Sequence, residues 1–103
     1  KEAVYRIDGQ SGQISKVADD PFKPNGIAFS PDYKKCYVCD TGVTHYPQAK
    51  NVVWQYDYDG GKLSNAKPLI DMTLDGKSGF PDGLRVDTEG NIFGMFQPDP
   101  SAK

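Results

Sequence analysis

Lys23-Pro24-Asn25-Gly26-Ile27-Ala28-Phe29-Ser30-Pro31-Asp32 is the stretch whose reading decides the fold. Pro24 fixes its own φ and pushes Lys23 toward an extended backbone. Asn25 and Gly26 tolerate backbone angles that other residues resist. Ile27 and Phe29 then alternate with Ala28 and Ser30, which is the period of a strand and not of a helix. Ser30-Pro31-Asp32-Tyr33 reads as a tight turn with Pro at its second position. The carboxamide of Asn25 is thereby placed at the mouth of a strand, where rigid scaffolds commonly hold ligand-binding groups.

The stretch recurs as Phe80-Pro81-Asp82-Gly83-Leu84-Arg85-Val86-Asp87, 57 residues further on when counted from Asn25 to Asp82. Both copies carry an oxygen-bearing side chain between Pro and Gly. A second repeat runs out of phase with the first. Val4-Tyr5-Arg6-Ile7-Asp8 aligns with Val53-Trp54-Gln55-Tyr56-Asp57, an offset of 49, and Ile14 aligns with Leu63 at the same offset. The difference between the two offsets falls in the loop at 72–80.

Strand and turn signals fill the rest of the chain. Strands are expected at 3–8, 13–18, 25–30, 36–40, 52–58, within 62–71 (weakened near Pro68), at 83–86 and at 91–95. Turns are expected at 9–12, 31–34, 59–61 and 88–90, with longer loops at 41–51 and 72–80. No amphipathic helix is visible. If the four strands of a unit are A, B, C and D, the chain runs C-D, A-B-C-D, A-B. The segments are a half unit at 1–19, a full unit at 24–71 and a half unit at 81–96. Four-stranded antiparallel units of ~40–50 residues are the blades of a β-propeller. The expected fold class is therefore all-β, with two blade-equivalents of a propeller. Because a closed propeller takes roughly four to eight blades, the remaining blades are expected from a longer chain or from self-association of copies.

Composition narrows the function classes. The chain has 103 residues and a formal net charge of -2, so it lacks the basic footprint of a nucleic-acid binder. No apolar run approaches the ~20 residues of a membrane helix, and no signal peptide is visible. The expectation is a soluble chain whose compartment is open. Cys36 and Cys39 form a C-x-x-C, but inside a strand pattern they face opposite ways, so they read as two buried, inert cysteines and not as a metal or redox pair.

The segment 24–32, followed by Tyr37-Val38-Cys39-Asp40-Thr41-Gly42, resembles the gluconolactonase / senescence marker protein / luciferin-regenerating enzyme-like family. So does 81–87 with its Glu89-Gly90-Asn91 turn. The resemblance covers nearly all of this chain and part of that family's usual length. It implies a six-bladed propeller with one divalent metal at the top of its central channel, hydrolysing lactones, chiefly sugar lactones such as gluconolactone. It further implies that Asn25 and Asp82 bind the metal and that Asp82 serves as general base or acid. The family's remaining protein ligand is a Glu near its N-terminus, in a blade outside this chain. Calcium is the implied ion, with zinc, magnesium or manganese as alternatives.

The residue types fit that chemistry. Amide and carboxylate oxygens suit hard cations. With one neutral ligand and few carboxylates, such an ion keeps residual charge to polarise a carbonyl and acidify water. Each residue also has a plainer reading. Asn25 and Asp82 could simply form turns. Asp40-Thr41-Gly42 reads as a structural turn at a strand end that could shape the pocket mouth, and His45 as a solvated loop residue. Trp54, Tyr56 and Tyr58 read as packing aromatics on one face, and Arg85 as a strand-face residue. The competing functions are a non-catalytic propeller that binds metal or partner proteins, and a paraoxonase-like esterase.

Overall fold

Every residue of Cys36-Tyr37-Val38-Cys39-Asp40 is buried. A strand hidden on both faces must have neighbours stacked above and below it, and the computed structural model supplies them. It describes residues 2–42, 52–71, 73–74 and 77–98, with the backbone alone described at 70, 71, 73, 74, 77–82 and 95–98. The expected loop containing His45 and the residues Met72, Asp75 and Gly76 lie outside the described residues.

Among the described residues nine strands follow in order: β1 (Val4–Ile7), β2 (Ile14–Ala18), β3 (Pro24–Phe29), β4 (Lys35–Asp40), β5 (Val52–Asp59), β6 (Lys62–Asp71), β7 (Thr73–Leu74), β8 (Lys77–Val86) and β9 (Ile92–Pro98). They form three antiparallel sheets, ordered β1-β2, β3-β4-β5-β6 and β7-β8-β9. The chain is all-β, without an α-helix among the described residues. No helix there is long and apolar enough to cross a membrane.

The turns carry the chemistry that the sequence assigns to them. In 30–33 the Tyr33 N–H donates to the Ser30 carbonyl at 2.9 Å, and the Asp32 carboxylate accepts from the Ser30 hydroxyl and the Lys34 N–H. The equivalent turn 57 residues on closes the same way, Gly90 N–H to Asp87 carbonyl at 3.1 Å. Tyr33 and Gly90 occupy the same left-handed position, with φ of 58° and 87°. In the other repeat Gly12 and Gly61, 49 apart, share φ values of 75° and 84°. Both repeats are thus repeats of backbone conformation.

Residues directly opposite on paired strands share a face. Ile27, Val38 and Trp54 line one face of the four-stranded sheet with Phe29, Cys36 and Tyr56. Cys36, Val38 and Tyr56 pack there with Ala18 of β2, and Val4, Trp54, Tyr58 and Leu63 close around them. The other face presents Tyr37, Cys39 and Val53, which pack on Leu84 of β8, with Ala28, Val86 and Ile92. The middle sheet is therefore sandwiched between the β1-β2 pair and β8-β9, and its aromatics are packing residues as expected. Pro68 is accommodated because β6 is an edge strand. Pro68 pairs with Trp54 beside a register shift that leaves Leu69 unpaired and 36% exposed.

Both strands of the last hairpin are longer than the sequence predicts, β9 running on to Pro98. The expected loop at 72–80 contains β7 and the first residues of β8, so the strand expected to start at Gly83 starts at Lys77. Leu74 pairs with Lys77, Thr73 with Ser78, and β9 extends the pairing along Gly79, Phe80 and Pro81. Pro81 fits in a strand interior because β7 stops pairing before it, which leaves that edge free of a ladder.

Cys36 and Cys39 sit on opposite faces and are not joined in a disulfide. Burial pushes the Cys36 thiol up to about 11, which withholds the reactive thiolate. Ellman's reagent should therefore modify neither residue in the native protein and both after denaturation. Labelling of either at its unfolded rate, mapped by mass spectrometry, would contradict this packing.

Four carboxylates, three of them at turns, contribute to stability against acid. Asp8 is held below its usual value chiefly by the Ser11 backbone N–H, Asp32 by the Ser30 hydroxyl, Asp57 by the Asn65 amide and Asp87 by the Asn91 amide. A depressed carboxylate contributes stability above its unfolded value, and that contribution is lost as pH falls through the folded value. The urea midpoint should stay level from about pH 7 to pH 5 and fall below about pH 4. A midpoint that rises on acidification would overturn the assignment.

Candidate functional site

The two Pro-Asx-Gly motifs produce the same distortion. Pro24 pairs with Asp40, and the next pair is Ile27 with Val38, so Asn25 and Gly26 oppose Cys39 alone. Pro81 pairs with Phe96, and the next pair is Leu84 with Gly94, so Asp82 and Gly83 oppose Met95 alone. Two residues against one is a β-bulge, a device found at sheet rims and beside active sites, where it re-aims a side chain. The sequence explains the bulge locally: Pro gives no N–H to the ladder and Gly accepts the irregular backbone. Strands β3 and β8 pack side by side without hydrogen bonding to each other, so the two bulges belong to neighbouring strands.

Asn25 is exposed, and no described residue hydrogen-bonds its carboxamide. Its oxygen is accordingly free to accept a hard cation. The backbone of Asp82 lies in the second bulge, while its side chain lies outside the described residues. Among the described residues no group of three His, Cys, Asp or Glu could hold a metal ion by itself. The amide and carboxylate oxygens of Asn25 and Asp82 are of the donor type that suits a hard divalent cation.

Asp40, expected in a structural turn, closes β4. It is 1% exposed, and its carboxylate accepts four hydrogen bonds. Oδ1 accepts from the Lys23 N–H at 3.0 Å and the Gly42 N–H at 2.8 Å, and Oδ2 from the Phe22 N–H at 3.0 Å and the Trp54 indole at 3.1 Å. The Thr41 N–H adds a bond to the Lys23 carbonyl at 3.1 Å. The residues leading into the Asn25 bulge are thus held by the end of the adjacent strand. A carboxylate closing a run of buried residues, Val38-Cys39-Asp40, was the available signal. Arg85 is exposed, with its guanidinium donating to the Leu84 carbonyl at 2.7 Å, and remains a strand-face residue.

Comparison with known proteins gives a consistent result. The family described as the SMP-30/Gluconolactonase/LRE-like region matches residues 1–96. The chain is 45% identical over 108 aligned residues to lactonohydrolase oryL of Aspergillus oryzae, covering 87% of this chain and 24% of that protein. It is 29% identical to a gluconolactonase of Zymomonas mobilis, covering 93% of this chain and 29% of that protein. Among solved structures it superposes on a regucalcin from Agrobacterium tumefaciens, described as a calcium-binding protein, with a TM-score of 0.69 and 32% identity, over 89% of this chain and 28% of that one. The chain thus spans less than a third of the length of each of these proteins. The neighbouring folds are β-propellers, of which the three stacked sheets are a part.

Proposed function

Because this chain belongs to the SMP-30/gluconolactonase/LRE-like family, we propose that it contributes part of the active site of a divalent-metal-dependent lactonase acting on a sugar lactone such as gluconolactone. The observation that carries the reading is the twin bulge, which presents Asn25 and Asp82 at corresponding points of the adjacent strands β3 and β8. The names of the relatives, a lactonohydrolase and a gluconolactonase, support the substrate class. The calcium-binding neighbour supports calcium as the ion, with zinc, magnesium or manganese as alternatives.

Asn25 and Asp82 hold the cation in this reading, together with a ligand from outside the chain. When bound, the ion supplies positive charge that polarises a lactone carbonyl and acidifies water. Asp82 accepts the proton that the attacking water loses and can return it to the leaving alkoxide oxygen, a role worth about 10²–10⁴-fold in rate. Asn25, neutral at every working pH, contributes its carbonyl oxygen without cancelling the charge that the reaction uses.

The remaining blades come from further chain or from other copies of this one. The exposure of β3 supports that requirement: Ile27 and Phe29 are 43% and 37% exposed. Gluconolactone hydrolysis by the intact protein tests the proposal. Activity should vanish on chelation and return with calcium. Hydrolysis that survives exhaustive chelation would remove the metal from the mechanism. Calcium binding without hydrolysis of any sugar lactone would leave a non-catalytic propeller, and preference for aryl esters would favour a paraoxonase-like esterase.

A further inference from the structure

We propose that Asp40 is the positioning residue that fixes the Asn25 bulge and thereby sets the affinity for the divalent cation, an inference that rests on Asn25 being a ligand. A carboxylate is almost never fully buried unless it is paired, yet none of the described ion pairs involves Asp40. Its charge is instead met by four N–H groups, two on each oxygen, from Phe22, Lys23, Gly42 and Trp54. Hydrogen bonds to an ionised acceptor are the stronger kind, and two of the four come from Phe22 and Lys23, which lead into β3.

The location gives the clamp its function. Phe22 and Lys23 are the last residues before Pro24 that can donate, and Pro24 itself has no N–H. The Lys23 carbonyl is also held, by the Thr41 N–H. The entry segment is therefore fixed on both its donor and its acceptor side, and only Pro24, whose φ is locked, separates the clamp from Asn25. The backbone of Asp40 is also the ladder partner of Pro24. One residue thus anchors the bulge through its main chain and through its side chain. Trp54 ties that carboxylate to the core, since its ring packs against the cluster of Cys36, Val38 and Tyr56. A carboxamide could not replace the carboxylate, because it offers one acceptor oxygen and turns two N–H donors toward the other pair of N–H groups.

The test is Asp40→Asn in the intact, metal-stripped protein, titrated with calcium by calorimetry beside Asn25→Ala. Loss of an outer-shell partner typically costs about 10–100-fold in metal affinity, and Asp40→Asn should fall in that range, with kcat at saturating calcium returning to within about twofold of wild type. Wild-type affinity in Asp40→Asn, with only a lowered Tm, would overturn the positioning role while leaving Asn25 as a ligand. Wild-type affinity in Asn25→Ala would overturn the ligand assignment, and the positioning role with it. A second measurement holds if Asp40→Asn fails to fold. In the wild-type protein, saturating calcium should slow hydrogen exchange at the Phe22, Lys23 and Gly42 amides more than at Val53 in the core. Unchanged exchange at those three amides would overturn the proposal.

Discussion

Asp82→Asn in the intact protein should lower lactone hydrolysis by about 10²–10⁴-fold and leave the fold in place. Asp82 lies in the bulge where β8 passes β3, between Pro81 and Gly83. The amide retains the size of the carboxylate and an oxygen for the cation, but it cannot accept a proton from water. The expected signature is a fall in kcat with lactone still bound, alongside an unchanged circular dichroism spectrum and thermal midpoint. Asn25→Ala should differ in kind: it removes a neutral ligand, so the rate should recover as calcium is raised. An Asp82→Asn protein turning over at the wild-type rate would remove Asp82 from the chemistry, and the twin bulge would then be a feature of blade construction only.

Tyr56→Ala should destabilise the protein by about 3–5 kcal/mol, in the range seen when a buried aromatic is truncated to alanine. Tyr56 is 1% exposed and is among the largest fully buried side chains. Its ring fills the seam between the middle sheet and the β1-β2 pair, against Ala18, Cys36 and Val38. Its hydroxyl donates to Asp20 at 3.1 Å. Burial, with the nearby Asp20 charge, pushes the phenol well above its usual value and keeps it a donor. Tyr56→Phe retains the ring and loses only that bond, so it should cost about 0.5–1.5 kcal/mol. Urea unfolding of the two variants separates the terms. Equal losses would mean that the hydrogen bond, and not the packed ring, holds the seam.

The strands and turns were legible because their causes are local. Alternation in Ile27-Ala28-Phe29 and in Trp54-Gln55-Tyr56 needs only the two-residue period of a strand. The turns at 30–33 and 87–90 need only Pro, Asp and Gly at particular positions. The repeats were legible for the same reason, since equal backbone conformations at Tyr33 and Gly90, and at Gly12 and Gly61, call for similar residues. The motifs that carry the family resemblance are themselves short and continuous, so the fold class could be read directly from the chain.

Other features were decided by which segments came together. A bulge is a count of residues against a partner strand, so the Pro-Asx-Gly motif alone cannot state that Asn25 and Gly26 face Cys39 alone. The early start of β8 depends on β7 and β9 offering ladders to residues 77–81, where the glycine and the proline argue for a loop. Asp40 looked like the end of a strand because its donors Phe22, Lys23 and Trp54 lie 18, 17 and 14 residues away in sequence. Hydrogen-bond satisfaction of a buried charge is a property of the space around it. The sequence placed Asn25 at a strand mouth through Pro24 and Gly26; the tertiary fold put a four-bonded carboxylate beside the residues that lead into it, because only packing can bring the Phe22, Lys23 and Trp54 N–H groups to one point.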